Sequence, residues 1–364
     1  MTKTKQILTV LVLAVLLAGG MVLHVALPDG ETSRAERRKL AQFPQWSETF
    51  AEDLEDYLLD QFPLRDGFRT VKSLWTYYVL GQKDNNGVFI SKDPFSEKNT
   101  VSKLDPVLDE KQVDLFIRKF TTLHEKYFPD SRVWCAVVPD KNVFLASEGY
   151  PSMDYETMLT KLETGMPWAD VRRNLFNCLI SDSYYTTDSH WRQEKLQWVL
   201  DDLELIMDVE LPDLDTYEQT VLPGFHGVYY GQAALPMGPE TLYILENELL
   251  SQCRVLDHET GLYTDVYNMD MLTSKDLYDV FLSGAKSLLT IENPNAATDR
   301  ELIVFRDSFG SSMVPLLVRD YAKVTLVDIR YLSSQLLGRF LEFNGQDVLF
   351  LYSTLVLNNS TTIK

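Results

Sequence analysis

The segment from Leu302 to Val314 constrains the fold more than any other part of the sequence. Leu302 to Phe305 are four consecutive apolar residues, which is typical of a buried strand. A new apolar period begins at Phe309 and predicts a helix. Ser308 is therefore expected at a sharp strand-to-helix turn, where Gly310 gives the chain room.

A serine at such a turn is a candidate nucleophile. Its hydroxyl would lie beside unpaired N–H groups and the positive end of the helix dipole, which can hold the oxyanion of an acyl transfer. The nucleophile elbow of serine hydrolases has this geometry, although Arg306 stands here where the elbow has its leading glycine. The alternative is that Asp307 or Ser308 only caps the helix.

Strands and helices alternate through residues 130–210 and again through residues 300–350. This alternation predicts parallel strands covered by helices, an α/β layered domain, and residues 210–290 are interpreted as an insertion into it. Because sites in such sheets form at the carboxyl ends of strands, Ser308 and Arg330 are expected at one edge. Arg330 would contact substrate or form a surface salt bridge.

His190 is the strongest candidate for a base that could activate Ser308. The stretch from Tyr184 to Asp188 is predicted to be extended, and residues two apart in extended chain point to one face. The carboxylate of Asp188 would then hold the imidazole of His190, as an orienting acid holds a catalytic base. The alternatives are a helix cap at Asp188 and a different base, His226.

The first 27 residues are predicted to form a membrane anchor. Ile7 to Leu27 is an apolar run of bilayer-spanning length, and Lys3 and Lys5 before it favour a cytoplasmic amino end. A cleaved signal peptide is the alternative. Residues 28–85 are interpreted as a juxtamembrane stalk and two amphipathic helices broken at Pro63.

The overall charge and the spacing of metal-binding residue types exclude some classes of function. The net charge of −19 disfavours nucleic acid as a partner. No Cys/His spacing typical of a metal site occurs, and no cofactor fingerprint is found, so no metal and no cofactor are predicted.

Two motifs carry a resemblance to a known family. Thr-Asp-Ser-His-Trp at 187–191 and Arg-Asp-Ser-Phe-Gly at 306–310 resemble the DHHW family, exported SGNH-hydrolase-like proteins of Gram-positive bacteria that are similar to alginate O-acetyltransferases. This sequence has Ser189 where a second histidine is usual. Five further segments are similar to the family: Asp60–Arg65, Gly87–Ile90, Val138–Lys141, Phe281–Gly284 and Asp328–Leu332.

The resemblance implies a fold and a set of site residues. Residues 86–364 would form an SGNH-hydrolase-like three-layer domain with a parallel central sheet, preceded by a transmembrane helix. Ser308 would be the nucleophile, His190 the general base and Asp188 its orienter. Four further residues are expected to bind substrate or to support the triad: Arg330, Trp191, Asp307 and Tyr185.

The resemblance also implies that the protein catalyses acyl transfer outside the cell and is held in the cell membrane by a single transmembrane helix. An acetyl group would pass through Ser308 to a sugar hydroxyl of an envelope polysaccharide, and a separate membrane-bound O-acyltransferase would supply it. Water as the acceptor would make the protein a carbohydrate esterase. Two other hypotheses are a non-catalytic glycan-binding or assembly protein and a metallohydrolase with Asp188 and His190 as ligands.

Overall fold

The computed structural model describes residues 3–33, 35–85, 87–92 and 99–364. Contacts along the chain divide it into two units, which are Met1–Asn86 with Tyr230–Met237, and Gly87–Tyr229 with Gly238–Lys364. The sequence analysis placed a domain boundary between residues 85 and 86, and Asn86 lies outside the described residues. The division into an anchor, a stalk region and a catalytic domain stays a prediction.

The first unit is mostly helical. Its elements are α1 (Lys3–Ala26), β1 (Thr32–Ser33), β2 (Arg38–Lys39), α2 (Phe50–Asp60), α3 (Arg65–Leu74) and β3 (Asp84–Asn85). A π-helical stretch, Trp75–Val79, continues α3. Within the described residues, α1 is the one helix that is long and apolar enough to cross a membrane, a property of its length and composition that signal sequences share. The predicted N-terminal apolar helix is therefore confirmed.

The strands of the second unit are β4 (Val88–Lys92), β5 (Asn99–Lys103), β6 (Val133–Val138), β7 (Asp170–Arg172), β8 (Glu218–Phe225), β9 (Glu240–Glu246), β10 (Arg254–Asp257), β11 (Leu262–Thr264), β12 (Leu288–Glu292), β13 (Glu301–Arg306), β14 (Lys323–Val327) and β15 (Asp347–Ser353). Its helices are α4 (Glu110–Tyr127), α5 (Asn142–Leu145), α6 (Tyr155–Gly165), α7 (Leu175–Cys178), α8 (Gln197–Met207), α9 (Val228–Ala233), α10 (Glu248–Gln252), α11 (Phe309–Met313), α12 (Leu337–Phe340) and α13 (Thr354–Leu357), of which α9 begins in this unit.

A mostly parallel sheet forms the centre of the second unit. Over the described residues its order is β11-β10-β12-β14-β13-β15-β6-β7. The strands from β14 to β7 are parallel to one another, whereas β12, β10 and β11 are added in antiparallel pairings. The segment interpreted as an insertion, residues 210–290, therefore supplies β10, β11 and the first residues of β12 to this sheet.

Apolar side chains from both faces of the sheet are covered by helices. On β13, Leu302 and Val304 lie in one buried cluster with residues of α8, while Ile303 and Phe305 lie in another with residues of α4 and α6. This alternation is the period of two that a strand requires when both of its faces are buried. The predicted three-layer α/β architecture is confirmed.

The helix after Ser308 is shorter than the sequence pattern suggests. Helix α11 ends at Met313, and the chain continues as a 3₁₀ helix from Val314 to Asp320. Pro315 lies at the start of this second stretch. Since proline has no N–H and its ring clashes with the carbonyl group four residues earlier, the regular α-helical bonding stops there.

Candidate active site

Ser308 lies in the turn between β13 and α11, and Asp307 holds that turn in place. One carboxylate oxygen of Asp307 accepts the backbone N–H of Phe309 at 3.0 Å, and the other accepts that of Ser353 at 2.8 Å. The side chain is 1% exposed. Asp307 therefore ties the ends of β13 and β15 together, with both oxygens occupied by the backbone.

Three side chains form a hydrogen-bonded series at this turn. The hydroxyl oxygen of Ser308 lies 2.7 Å from Nε2 of His190, and Nδ1 of His190 lies 2.6 Å from Oδ1 of Asp188. A carboxylate can only accept, so Nδ1 carries the hydrogen and Nε2 of the neutral ring accepts from the serine. The two predicted segments, 118 positions apart, meet in the arrangement that activates a serine.

The contact between Asp188 and His190 has a different local origin from the predicted one. The segment turns back on itself, with a bridge between Tyr184 and Trp191, and is not extended. Oδ1 of Asp188 also accepts the backbone N–H of His190 at 3.0 Å. This aspartate turn, rather than the alternation of a strand, brings the carboxylate to the imidazole.

The second oxygen of Asp188 is held by the loop that contains the alternative base His226. It accepts the backbone N–H of Val228 at 2.7 Å, and the N–H of Gly227 donates to Thr187 at 2.8 Å. A side chain at position 227 would place its Cβ 2.2 Å from the carbonyl oxygen of Thr187. Only glycine allows this approach, so the loop serves to position Asp188.

Asp188 is buried but remains a carboxylate. Burial by itself would raise its pKa, yet the His190 ring and the backbone N–H groups of His190 and Val228 lower the pKa well below its usual range. An ionised acid in this position holds the imidazole in one orientation and stabilises its protonated form.

Two charged residues, the half-buried Glu240 and the buried Lys141, fix the chain just before Asp188. Glu240 accepts the backbone N–H groups of Thr186 and Thr187 at 2.5 and 2.8 Å. The ammonium group of Lys141 donates to the carbonyl oxygens of Val101 at 2.7 Å and Tyr185 at 2.9 Å. Both contacts are made to backbone atoms, so they set the path of the loop and not its chemistry.

Aromatic rings surround His190. The ring of Tyr278 stacks on the imidazole with a centroid distance of 4.0 Å and an angle of 12°, and Phe309 lies 5.1 Å away. The hydroxyl of Tyr278 donates to Ser312 at 2.8 Å, which fixes its ring. This stacking limits rotation of the imidazole and keeps water from one of its faces.

Trp191 and Tyr185 lie in the interior. Trp191 is 0% exposed, and its indole N–H donates to the Phe309 carbonyl at 3.2 Å and to Ser312 at 3.0 Å. It thereby ties the His190 loop to α11. Tyr185 packs edge-on against Phe225 with a centroid distance of 4.8 Å. Because both side chains are buried, these two residues support the structure of the site.

Arg306 replaces the usual glycine without disturbing the turn, because its side chain runs beneath Gly310. A Cβ at position 310 would lie 2.8 Å from that of Arg306, so the glycine leaves space for the arginine stem. The buried guanidinium donates to the Asp307 carbonyl at 3.3 Å and to Ser311 at 2.9 Å. Nε and one Nη have no protein partner among the described residues.

Arg330 forms an ion pair at the same edge. Nε and Nη2 donate to the two oxygens of Asp328 at 2.9 and 2.6 Å, and the Asp328 side chain is fully buried. The Arg330 side chain retains 22% exposure. Of the two roles considered from the sequence, the ion pair is the one found here, with a buried partner.

The backbone N–H of Gly284 and the side-chain amide of Asn293 could each donate to an oxyanion, but both are engaged in other bonds. The backbone N–H of Gly284 donates to the Phe281 carbonyl at 3.1 Å. The amide of Asn293 donates to the Val318 carbonyl at 2.8 Å and accepts from the N–H of Asn295 at 2.9 Å. In the described part of the chain, no group of three or more His, Cys, Asp or Glu side chains could hold a metal ion.

Sequence reasoning did not find Tyr278, Glu240 or Lys141 as residues of the site. The Val138–Lys141 segment resembled the family, but nothing local indicated that its lysine would reach the His190 loop. Tyr278 is one of 18 tyrosines, and only the folded chain distinguishes it from the others.

The fold defines this chain as a layered α/β protein with a mostly parallel central sheet and an N-terminal apolar helix. The family model described as DHHW protein matches residues 169–327, which is less than half of the chain. The matched segment includes Asp188, His190 and Ser308. The resemblance to the DHHW family is thereby confirmed. No curated protein sequence matches the chain.

Solved structures support the same fold. A DHHW family protein from Eubacterium siraeum is 17% identical with a TM-score of 0.64, covering 77% of this chain and 94% of its own. Bacillus cereus PatB1, determined with a sulfonyl adduct, is 17% identical with a TM-score of 0.57, covering 75% and 97%. The O-acetyltransferase domain of Pseudomonas putida AlgJ is 10% identical with a TM-score of 0.40, covering 74% and 92%, which is too low to support a conclusion.

Proposed function

We propose that this protein is a membrane-anchored serine acyltransferase that acts outside the cell and O-acetylates a cell-envelope polysaccharide. The observation that carries the proposal is the unbroken series from the Ser308 hydroxyl through His190 to Asp188, with distances of 2.7 and 2.6 Å. Its chemistry is that of nucleophilic acyl transfer.

In the first half-reaction, the Ser308 oxygen attacks the carbonyl carbon of an acetyl donor. Its proton passes to Nε2 of His190, and the imidazolium is stabilised by Asp188. The tetrahedral intermediate collapses with cleavage of the bond to the donor's leaving group, which takes the proton from His190. The products are an acetyl ester on Ser308 and the free leaving group.

In the second half-reaction, a sugar hydroxyl takes the place of the leaving group. His190 removes its proton, the sugar oxygen attacks the acetyl ester, and Ser308 recovers its proton as the acetylated sugar leaves. The acetyl donor is proposed to come from a separate membrane-bound O-acyltransferase. If water took the place of the sugar, the same residues would give an acetylesterase.

The proposal places α1 in the membrane, with the following residues outside the cell. Lys3 and Lys5 lie before the apolar run and would stay in the cytoplasm. Protease protection of intact cells tests this orientation. Cleavage of an epitope at the C-terminus by external protease is expected, and complete protection would contradict the orientation.

The test of the chemistry uses the full chain in detergent, with p-nitrophenyl acetate as the acetyl donor and unacetylated xylo-oligosaccharides as the acceptors. Release of p-nitrophenol measures the first half-reaction, and mass spectrometry of the sugar measures the second. Ser308→Ala and His190→Ala are expected to abolish both signals. A sulfonyl fluoride is expected to modify the wild type and to leave Ser308→Ala unmodified.

Matched variants separate loss of chemistry from loss of fold. Ser251→Ala changes an exposed serine on α10, and His258→Gln changes a histidine whose ring bonds Thr290 at 2.9 Å. Both are expected to retain activity. Activity retained in Ser308→Ala and His190→Ala would remove the triad assignment, whereas acetate release without any acetylated sugar would favour the esterase.

A further inference from the structure

Helix α3 and the π-helical turn after it have their apolar face turned outward. Leu64, Phe68, Val71, Trp75 and Tyr78 are spaced four, three, four and three residues apart, which places them along one side of the helix. They are between 56% and 75% exposed. A helix of a water-soluble protein ordinarily turns such a stripe towards its core.

The polar side of the same helix is the buried one. Within the first unit, Arg69 donates to the Gly231 carbonyl at 2.8 Å, and Ser73 donates to the Ala233 carbonyl at 2.6 Å. The amide of Asn85 donates to the hydroxyl of Ser73 at 2.7 Å. These bonds fix the rotation of α3 about its axis, so the exposed stripe cannot turn inward without breaking them.

The stripe is continuous with the last turns of the anchor helix. A Cβ at Gly20 of α1 would lie 4.0 Å from the Phe62 ring, and the rings of Phe62 and Phe68 are 5.5 Å apart. Nδ1 of His24 also lies 3.2 Å from the Gln61 carbonyl oxygen. Gly20 is about 9 Å along the axis from the end of α1, at about 1.5 Å for each residue.

We infer that this outward stripe, which consists of Leu64, Phe68, Val71, Trp75 and Tyr78, lies beside the anchor in the lipid at the external surface of the cell membrane. Amphipathic helices in this setting bury their apolar face by about 5–10 Å, which agrees with the depth at which Phe62 contacts α1. Tryptophan and tyrosine, which end the stripe, are the side chains that prefer the headgroup level. The inference rests on the proposed membrane anchor and extends it to a second contact with the bilayer.

Lipid fits the stripe better than a protein partner. The stripe starts where the anchor leaves the apolar layer, so the bilayer is already adjacent to it. Leu58 and Leu59 at the end of α2 are likewise exposed, at 47% and 61%. A bilayer interface covers such a surface along its whole length and needs no complementary shape.

The test is spin-label accessibility in the full chain, reconstituted into vesicles of phosphatidylcholine and phosphatidylglycerol. Single cysteines are introduced as Phe68→Cys and Val71→Cys in a Cys178→Ser background, since Cys135 and Cys253 are buried. Val12→Cys on α1 is the lipid control, and Ser251→Cys at an exposed position of α10 is the water control. Dioxygen reports lipid and a nickel chelate reports water.

Labels at 68 and 71 are expected to collide more often with dioxygen than with the nickel chelate, as at 12, and the order is expected to reverse at 251. If labels at 68 and 71 collide more often with the nickel chelate than with dioxygen while the label at 12 is in lipid, the inference is overturned and the proposed membrane anchor still stands. Protection from both reagents at 68 and 71 means that protein covers the stripe, which also overturns it. Water accessibility at 12 refutes the anchor itself, and the inference with it.

Discussion

Two turns of the second unit have the same local chemistry and different consequences. In Asp188-Ser189-His190 and in Asp328-Ile329-Arg330, the aspartate accepts the backbone N–H two residues later, at 3.0 and 3.1 Å. The basic side chain then closes on the same carboxylate, at 2.6 Å for histidine and 2.9 Å for arginine. The backbone arrangement is shared, and the residue at the third position differs.

The difference lies in what the base can do once it is held. The imidazole of His190 uses one nitrogen for Asp188 and keeps the other for the Ser308 hydroxyl at 2.7 Å. Arg330 uses two nitrogens for Asp328 and stays charged at any physiological pH. One turn therefore presents a proton acceptor, whereas the other makes a permanent ion pair that neutralises a buried carboxylate.

Asp188→Asn should give the largest effect on activity. The amide cannot hold the Nδ1–H tautomer of His190 or stabilise the imidazolium, so the rate of ester cleavage should fall by about 10²- to 10⁴-fold. Steady-state kinetics with p-nitrophenyl acetate measure it. Asp215→Asn, at an exposed position, is the matched control, and equal rates in the two variants would contradict the role of Asp188.

Asp328→Asn should instead act on stability. Its carboxylate is fully buried, and its loss leaves the Arg330 guanidinium without its ion partner near the buried charge of Arg306. Breaking one side of a buried pair typically costs about 3 kcal/mol or more of unfolding free energy. Urea unfolding of the detergent-solubilised chain measures it. A loss under about 0.5 kcal/mol, the range of ordinary surface changes, would show that the pair is not structural.

The sequence was sufficient for the elements that have a strong local signal. The apolar run on β13 and the new period after Phe309 were enough to locate the turn that carries Ser308. The pairing of Asp188 with His190 was also expected, although for a different local reason, since a turn and an extended chain can bring the same two residues together. In each case the information lies within a few residues.

What could not be predicted depends on contacts between distant segments. Tyr278 stacks on His190 from 88 positions away, and Glu240 holds Thr187 across 53 positions. The amphipathic pattern predicted a helix in the region of α3, but the pattern does not state which face is buried. That choice was made by Arg69 and Ser73, whose hydrogen bonds go to a segment more than 150 residues later.

Gly227→Ala tests a further difference between the two turns, because the Asp188 turn depends on a neighbouring glycine. The new Cβ would lie 2.2 Å from the Thr187 carbonyl oxygen and would push the loop away from Asp188. We expect an unfolding free energy lower by about 2 kcal/mol, as for other forced overpacking, and a kcat reduced by at least about 10-fold. Thermal unfolding and ester hydrolysis measure both.

The control for that change is Gly238→Ala, where an added Cβ has no neighbour within 4 Å. It should leave activity and stability nearly unchanged. If Gly227→Ala behaves like Gly238→Ala, the loop has room to move, and the Val228 N–H is not needed to hold the second oxygen of Asp188.

The smallest expected effect is the contribution of Asp188 to the pH dependence of the unfolding free energy. Its pKa in the folded chain lies well below the unfolded value of about 4, so its stabilising effect is complete above that value and is lost as the pH falls towards the folded pKa. The difference in unfolding free energy between the wild type and Asp188→Asn should therefore shrink by about 1 kcal/mol between about pH 5 and about pH 3. Urea unfolding at the two pH values measures it, with Asp215→Asn as the exposed comparison. A difference that stays constant would mean that the carboxylate is not held in its ionised form by the turn, and the proposed distinction between a poised base and a fixed ion pair would lose its electrostatic basis.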